Sequence, residues 1–129
     1  MAVDAEILLV GHCGPDAYML RSFARTAVPG ATVTMVNDAQ TLDSHLGGTC
    51  LLLVNRVLDG DFESTDGIGL IRAQARRDPP PAMMLVSNYP EAQEEAVKAG
   101  ARPGFGKSQL GDLGLPGRLA GAVGLEKEV

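Results

Sequence analysis

Cys50-Leu51-Leu52-Leu53-Val54-Asn55 decides the fold, because it is a short unbroken apolar run that ends at a polar residue. Gly47-Gly48 precede it and Asp59-Gly60 follow it. A bounded apolar run of this length is typical of a strand that is buried on both faces, in the middle of a parallel sheet. Ligands bind at the carboxyl ends of the strands in such sheets. Asn55 is therefore predicted to lie at the functional edge.

Further apolar runs and helical patterns alternate with this strand along the chain. The other predicted strands cover 6–10, 31–36, 82–86 and, more weakly, 104–106. The predicted helices begin at Gly14-Pro15, at Asn37 or Asp38, at Asp66-Gly67, at Pro90 and at Leu115. The third predicted helix carries Arg76-Arg77 in its last turn, and the fifth ends at Leu125. Five strands alternating with five helices predict one doubly wound α/β domain over residues 1–129. The predicted parallel sheet has the strand order 2-1-3-4-5.

Composition and charge narrow the classes of function. The 129 residues suit one domain, and 45% hydrophobic with 21% charged residues indicate a folded protein. The net charge of −5 argues against nonspecific binding to nucleic acid or to an anionic membrane, since both need a basic surface. We find neither a membrane-spanning run nor a signal-peptide pattern, so a cytoplasmic location is predicted.

The two cysteines are predicted to be free thiols. Cys13 follows the first strand and Cys50 begins the third, so parallel strands place them at opposite ends of the sheet. A strand of this length spans about 20 Å. A disulfide needs Cα atoms within about 7 Å of each other.

The residues at the predicted strand ends are Gly11-His12-Cys13, Asn55, Ser87-Asn88 and Lys107. These residues belong to an ordered set of motifs that extends over nearly the whole chain. The other members are Leu8-Leu9-Val10, Asp66-Gly67, the stretch from Pro81 to Ser87, and Ala99-Gly100-Ala101 before Lys107. In this respect the chain resembles the receiver domains of bacterial response regulators. The resemblance implies a flavodoxin-like receiver fold and a role in two-component signalling.

The resemblance also implies a role for each strand end. Receiver domains resembling this chain accept a phosphoryl group on an Asp at the end of the third strand, where this chain has Asn55. Two acids after the first strand hold Mg²⁺, and here Gly11 and His12 take their places. Ser87 and Lys107 match the Ser or Thr and the Lys that end the fourth and fifth strands. Gly104 stands at the aromatic switch position, Ser108 replaces the usual Pro, and the loop after Asn55 is about four residues longer.

These departures predict a pseudo-receiver that does not use the usual phosphorylation. The amide of Asn55 is a poor nucleophile. Gly11 and neutral His12 are poor ligands for Mg²⁺, which prefers carboxylate oxygens. We therefore expect no catalytic residue, no metal and no cofactor. The expected partner is a signalling protein, such as a histidine kinase or another regulator, with a homodimer as an alternative. The family resemblance suggests the fourth helix, fifth strand and fifth helix as the contact surface, where small Ala92 and Ala96 would admit a partner helix.

Several alternatives stay open at this point. In one alternative these residues have only local structural roles: Asn55 bonds to loop backbone, Ser87 caps the next turn, and Lys107 pairs with a nearby acid. Asp59 or Asp61 would be a displaced phosphoacceptor in a receiver that is still phosphorylated. A small α/β enzyme or nucleotide-binding protein would instead use the edge at Cys13, with His12 as a base or both as metal ligands.

Overall fold

A computed structural model describes residues 5–46 and 50–123 of the chain. Strands and helices alternate along it, as the sequence predicts. The elements are β1 (Glu6–Val10), α1 (Gly14–Ala27), β2 (Thr32–Val36), α2 (Ala39–His45), β3 (Cys50–Asn55), α3 (Gly67–Gln74), β4 (Ala82–Val86), α4 (Pro90–Ala99), β5 (Arg102–Phe105) and α5 (Leu115–Ala122), with a 3₁₀ turn at Lys107–Gln109 between the last two.

The five strands form one parallel sheet in the order β2-β1-β3-β4-β5, which confirms the predicted topology. β3 lies in the centre and pairs with β1 and β4. Each residue from Leu51 to Val54 is 0% exposed, so the central strand is buried on both faces as predicted.

The two faces of β3 supply two separate cores. Successive side chains of a strand point to opposite faces of the sheet. Leu51 and Leu53 pack with apolar residues of α1 and α5, whereas Leu52 and Val54 pack with residues of α2, α3 and α4. Each such burial stabilises the fold by about 1.5–3 kcal/mol, which explains why the run carries no polar residue before Asn55.

Helix starts near the site are set by side-chain caps. Of the two predicted caps of α2, Asp38 is the one used: its Oδ1 accepts a hydrogen bond from the Thr41 N–H at 2.6 Å. Asp66 Oδ1 accepts from the Ile68 N–H at 3.1 Å and begins α3. These caps satisfy amides that a helix end leaves without partners, and they fix where the loops above the sheet begin and end.

Several predicted boundaries were wrong. α3 ends at Gln74, so Arg76-Arg77 lie beyond the helix instead of in its last turn. β5 begins at Arg102 and ends before Gly106. α5 ends at Ala122 with Val123 as its C-cap, and positions 124–125 of the predicted extension fall outside the described residues. The predicted partner contact through small residues was also wrong, because Ala92 and Ala96 are buried against the sheet. The helix pattern was read correctly, but its small residues face inward.

β5 is an edge strand whose outer side is protected. Pro103 has no N–H to offer. The guanidinium of Arg118, on α5, donates hydrogen bonds to the carbonyl oxygens of Pro103 and Gly104, the second at 2.7 Å. Two carbonyl groups of this edge strand are therefore already hydrogen-bonded.

Candidate functional site

The carboxyl ends of β3, β4 and β5 meet at one cavity of about 270 Å³, which we call the strand-end cavity. It brings together three of the predicted site residues, Asn55, Ser87 and Lys107. Its lining consists of Asn55, Arg56, Val57, Val86, Ser87, Asn88, Tyr89 and Lys107.

Asn55 uses its side chain to hold backbone. Its Nδ2 donates to the carbonyl oxygen of Gly11 at 3.0 Å and to that of Val57 at 2.8 Å. Both partners can only accept, so the orientation of the amide is fixed. One –NH₂ group thus joins the end of β3 to the turn after β1 and to the loop that follows β3.

Gly11 cannot readily be an acid in this backbone. Its φ is +75°, a conformation that side-chain-bearing residues rarely adopt. A Cβ there would lie 2.6 Å from Cδ2 and 3.0 Å from Cα of Leu58. The local backbone is therefore built around a residue without a side chain.

His12 is turned into the protein. It is 1% exposed, and its Nε2 donates to the carbonyl oxygen of Leu53 at 2.8 Å. Burial lowers the pKa of His12, with the hydrogen bond to Leu53 acting in the opposite direction, so the imidazole is neutral at physiological pH. Nδ1 has no partner among the described residues. A glycine and a buried, neutral imidazole do not fit the hard-oxygen ligand set that Mg²⁺ requires.

Ser87 and Lys107 both make local contacts. The Ser87 Oγ accepts a hydrogen bond from the Tyr89 N–H at 3.2 Å. The Lys107 ammonium donates to the carboxylate of Asp16, near the start of α1. This hydrogen bond lowers the pKa of Asp16, whose side chain, like that of Lys107, is about a third exposed. Such a partly exposed pair contributes little to stability.

Two further side chains shape the rim of the cavity. The Arg56 guanidinium lies over the ring of Tyr89, 5.1 Å from its centroid. Asn88 is held by the 3₁₀ turn that follows β5, since its Oδ1 accepts from the N–H of Ser108 at 3.3 Å and from the Ser108 hydroxyl at 3.0 Å. The cavity therefore has a cationic and amide-rich rim.

Gln93 of α4 occupies the irregular junction between β4 and β5. Its Nε2 donates to the carbonyls of Leu85 at 2.9 Å and Ser87 at 3.1 Å, and its Oε1 accepts from the Gly104 N–H at 3.1 Å. A Cβ at Gly104 would lie 2.1 Å from the Leu85 carbonyl oxygen and 2.8 Å from Gln93 Oε1. A side chain at position 104, which the resemblance assigns to the aromatic switch, does not fit this arrangement.

The long loop after β3 is tied to the neighbouring strand ends. The Asp59 N–H donates to the carbonyl of Gly11 at 2.9 Å, and that of Asp61 donates to the carbonyl of Asn37 at 2.8 Å. Asn37 Nδ2 in turn donates to the Asp59 carbonyl at 2.8 Å. The side chains of Asp59 and Asp61 are exposed, and neither residue lines the strand-end cavity.

Both cysteines are free thiols, Cys13 exposed beside α1 and Cys50 buried at the far end of β3. Burial raises the pKa of the Cys50 thiol. No hydrogen bond among the described residues joins Cys13 to the imidazole of His12, which is directed to Leu53. Within the described ranges, no cluster of three or more His, Cys, Asp or Glu could hold a metal ion, and no helix is long and apolar enough to cross a membrane.

A scan against protein-family models and a search of curated proteins find no match. Solved structures do match over most of the chain. A signal receiver domain of a DNA-binding response regulator from Colwellia psychrerythraea has a TM-score of 0.70 at 19% identity, and covers 93% of this chain and 98% of its own. The chain has the receiver fold. The receiver domain of the stress response regulator RcsB from Escherichia coli has a TM-score of 0.66 at 21% identity, and the match covers 96% of this chain and 93% of the RcsB domain.

A third receiver domain, from Rhodospirillum rubrum, has a TM-score of 0.62 at 13% identity over 95% of this chain and 93% of its own. The receiver fold is thus recovered although few residues are shared. Sequence analysis placed Asn55, Ser87 and Lys107 at its strand ends, but it missed Asp16, Arg56 and Gln93. Their spacing gave no signal, since each acts through a contact between separate elements.

Proposed function

We propose that the protein is a receiver-like signalling module of the two-component type that is not phosphorylated at Asn55 and acts by binding a protein partner. The observation that carries the proposal is the Asn55 amide, which donates to the Gly11 and Val57 carbonyls. The group at the end of β3 thus serves as a structural donor. A neutral amide that is held in this way is not a nucleophile for phosphoryl transfer.

The surroundings of Asn55 also support the absence of metal-assisted transfer. Phosphoryl transfer is catalysed mainly by positioning and by neutralising the charge on the phosphoryl oxygens. The fold leaves no room for an acid at Gly11, and His12 is committed to Leu53. Introducing acids at both positions is therefore expected to strain the backbone instead of restoring a metal site.

Gln93 supports a surface that keeps one conformation. Its amide joins α4 to both β4 and β5, and Gly104 offers no aromatic side chain that could move between two positions. Each of these hydrogen bonds contributes about 0.5–1.5 kcal/mol. We infer that partner binding is constitutive, because Gly104, where the resemblance places the switch residue, carries no side chain that could change position.

The proposed partner surface is the shallow groove between α4 and β5, which includes Val97, Pro103 and Gly104. Val97 is 44% exposed, in contrast to Ala92 and Ala96 on the inner face of the same helix. The partner would be a signalling protein such as a histidine kinase or another regulator, or a second copy of the chain. Nucleic acid and membrane are not proposed, in keeping with the net charge of −5, and we propose a cytoplasmic location.

The proposal is tested by exposing the wild-type protein to a small phosphodonor with Mg²⁺ and reading its intact mass. We expect no phosphoryl adduct under conditions that label an authentic receiver domain in the same tube. An adduct that maps to Asp59 or Asp61 would replace the proposal with a displaced phosphoacceptor. Labelling of Cys13 by a thiol probe that is faster than that of an ordinary exposed thiol, with a pH profile showing a depressed thiol pKa, would favour an enzyme instead.

A further inference from the structure

A second concave space lies between α2, α3 and the loop that joins β3 to α3. We call it the α2–α3 cavity, and Leu42 of α2, Phe62 of the loop and Leu70 of α3 bound it. Its volume is about 340 Å³, and among the described residues it shares no lining residue with the strand-end cavity. Small-molecule sites have volumes of about 300–1,000 Å³. The α2–α3 cavity therefore suits a small ligand, such as one ring with a short arm.

The floor of the α2–α3 cavity is apolar. Leu42 and Leu58 are buried, and Phe62 and Leu70 are partly buried against the same core. Ala73, on the α3 side of the cavity, contributes only a methyl group. Apolar surface of a ligand that leaves water for such a floor binds favourably, and the ring of Phe62 adds an aromatic contact.

The loop that forms one wall is held by its own backbone. The Leu58 N–H donates to the carbonyl of Thr65 at 2.7 Å, and Val57 forms an antiparallel bridge with Asp66. The segment that carries Phe62 is therefore closed at both ends. A wall that is already ordered spares a ligand the entropic cost of ordering it.

The charged groups of the α2–α3 cavity are all carboxylates. Among the described residues, Asp43, Glu63 and Asp66 line it, and no Lys, Arg or His does. Arg77 donates to Oδ1 of Asp43 at 2.8 Å, so this carboxylate already has a cationic partner. The other two carboxylates are the ones that can attract a ligand of positive charge.

These two carboxylates keep oxygen atoms that can accept from a ligand. Asp66 Oδ1 caps α3 through the Ile68 N–H, whereas Oδ2 lies 3.1 Å from the place that a Cβ of Gly69 would take. Gly69 lines the cavity, so this oxygen lies at the cavity wall. Within the described ranges, neither Asp66 Oδ2 nor the carboxylate of Glu63 makes a hydrogen bond or an ion pair.

We propose that the α2–α3 cavity binds a small organic cation, in which an ammonium group is carried on an apolar or aromatic body. The ammonium donates to Glu63 and Asp66, and the body packs on Leu58 and Phe62. A bare metal ion would leave the apolar floor unused, and the described residues hold no cluster of three or more ligating side chains. An anion would face three carboxylates. The inference concerns a ligand of this cavity and depends neither on phosphorylation nor on a protein partner.

The test is a titration followed by ¹H–¹⁵N NMR at constant ionic strength. The probes are 2-phenylethylammonium, the neutral 2-phenylethanol, the anionic 3-phenylpropionate and a capped phenylalanyl-lysine dipeptide. We expect saturable shifts at Leu58, Gly69 and Leu70 with the ammonium, about threefold to tenfold weaker binding of the alcohol, and no saturation by the carboxylate. Added salt should weaken binding of the ammonium and leave that of the alcohol unchanged.

Substitutions localise the binding. Glu63→Gln and Asp66→Asn should each weaken ammonium binding by about threefold without changing that of the alcohol; Asn also serves as a helix cap. Glu95→Gln, which removes one exposed acid of α4, is the matched control and should bind as the wild type does. Ala73→Leu fills the cavity from an exposed helix position and should abolish binding of both probes.

Three results would overturn the proposal. The first is an ammonium probe that does not saturate, or that binds no better than the alcohol. The second is saturation by the dipeptide alone, which would assign the cavity to a basic protein partner. The third is a Glu95→Gln variant as impaired as the cavity variants, or an Ala73→Leu variant that still binds. None of these measurements involves a phosphodonor, so the proposed function stands or falls separately.

Discussion

Replacing Asn55 by aspartate reverses the role of the side chain at the end of β3. The wild-type amide donates to the carbonyl oxygens of Gly11, at 3.0 Å, and Val57, at 2.8 Å. In Asn55→Asp a carboxylate of nearly the same shape faces the same two oxygens. It can accept hydrogen bonds but cannot donate them. The substitution that supplies a nucleophile therefore removes the contacts that hold two loops.

The expected cost follows from these contacts. Each lost hydrogen bond is worth about 0.5–1.5 kcal/mol, and leaving its acceptor beside a negative charge adds to the loss. We expect the free energy of unfolding to fall by about 2–4 kcal/mol at pH 7.5. The protonated acid can still donate, so folding favours the neutral form and raises the pKa of the introduced carboxyl group. The cost should therefore be small at acid pH and grow as pH rises above about 4.

Urea unfolding of wild type, Asn55→Asp and Asn88→Asp at pH 4.5 and pH 7.5 measures this cost. Asn88→Asp is the matched control, because Oδ1 of Asn88 accepts from Ser108 and a carboxylate can do the same. The control should lie within about 0.5 kcal/mol of wild type. Phosphorylation of Asn55→Asp by a small phosphodonor with Mg²⁺ should stay slow. Wild-type stability at pH 7.5 together with rapid phosphorylation would refute the reasoning.

Three further predictions test other parts of the site. Gln93→Ala should lower the free energy of unfolding by about 2–3 kcal/mol and speed hydrogen exchange of the Gly104 amide; unchanged exchange would show that the side chain does not bind there. Titration with Mg²⁺ to low millimolar concentrations should give no saturable NMR shifts at Gly11 or Asn55, and saturable shifts would reveal a metal site. Because burial lowers the pKa of His12, the wild-type protein should lose stability as pH falls below about 6.5. His12→Gln, which retains a hydrogen-bond donor, should lose less stability over this range. Equal losses in wild type and variant would exclude His12 as the cause.

The fold was predictable because its main signals are local in sequence. The run from Leu51 to Val54 identifies the central strand, and the alternation of strands with helices limits the topology. Asn55 could be placed at the functional edge because it directly follows that run. The weak fifth strand was placed two residues late, since Pro103 and Gly104 are poor strand formers and its pairing is set by contacts with Arg118 and Gln93.

The roles of the site residues were less predictable, since they depend on which atoms face one another. Nothing in the sequence shows that Lys107 meets Asp16, which lies 91 positions away. Likewise, the glycine at position 11 can be read as a missing acid, but its positive φ and its contact with Leu58 appear only in the structure. Sequence patterns place residues at an edge, whereas distances between separate elements decide their chemistry.

The protection of β5 has a consequence for assembly. Exposed sheet edges are templates on which other chains add strands, either as bound peptides or as aggregates. At this edge Pro103 lacks a donor, and the Arg118 guanidinium already occupies the carbonyls of Pro103 and Gly104. A partner at this face therefore has to recognise side chains instead of extending the backbone ladder, and copies crowded together gain no edge here along which a continuous sheet can grow.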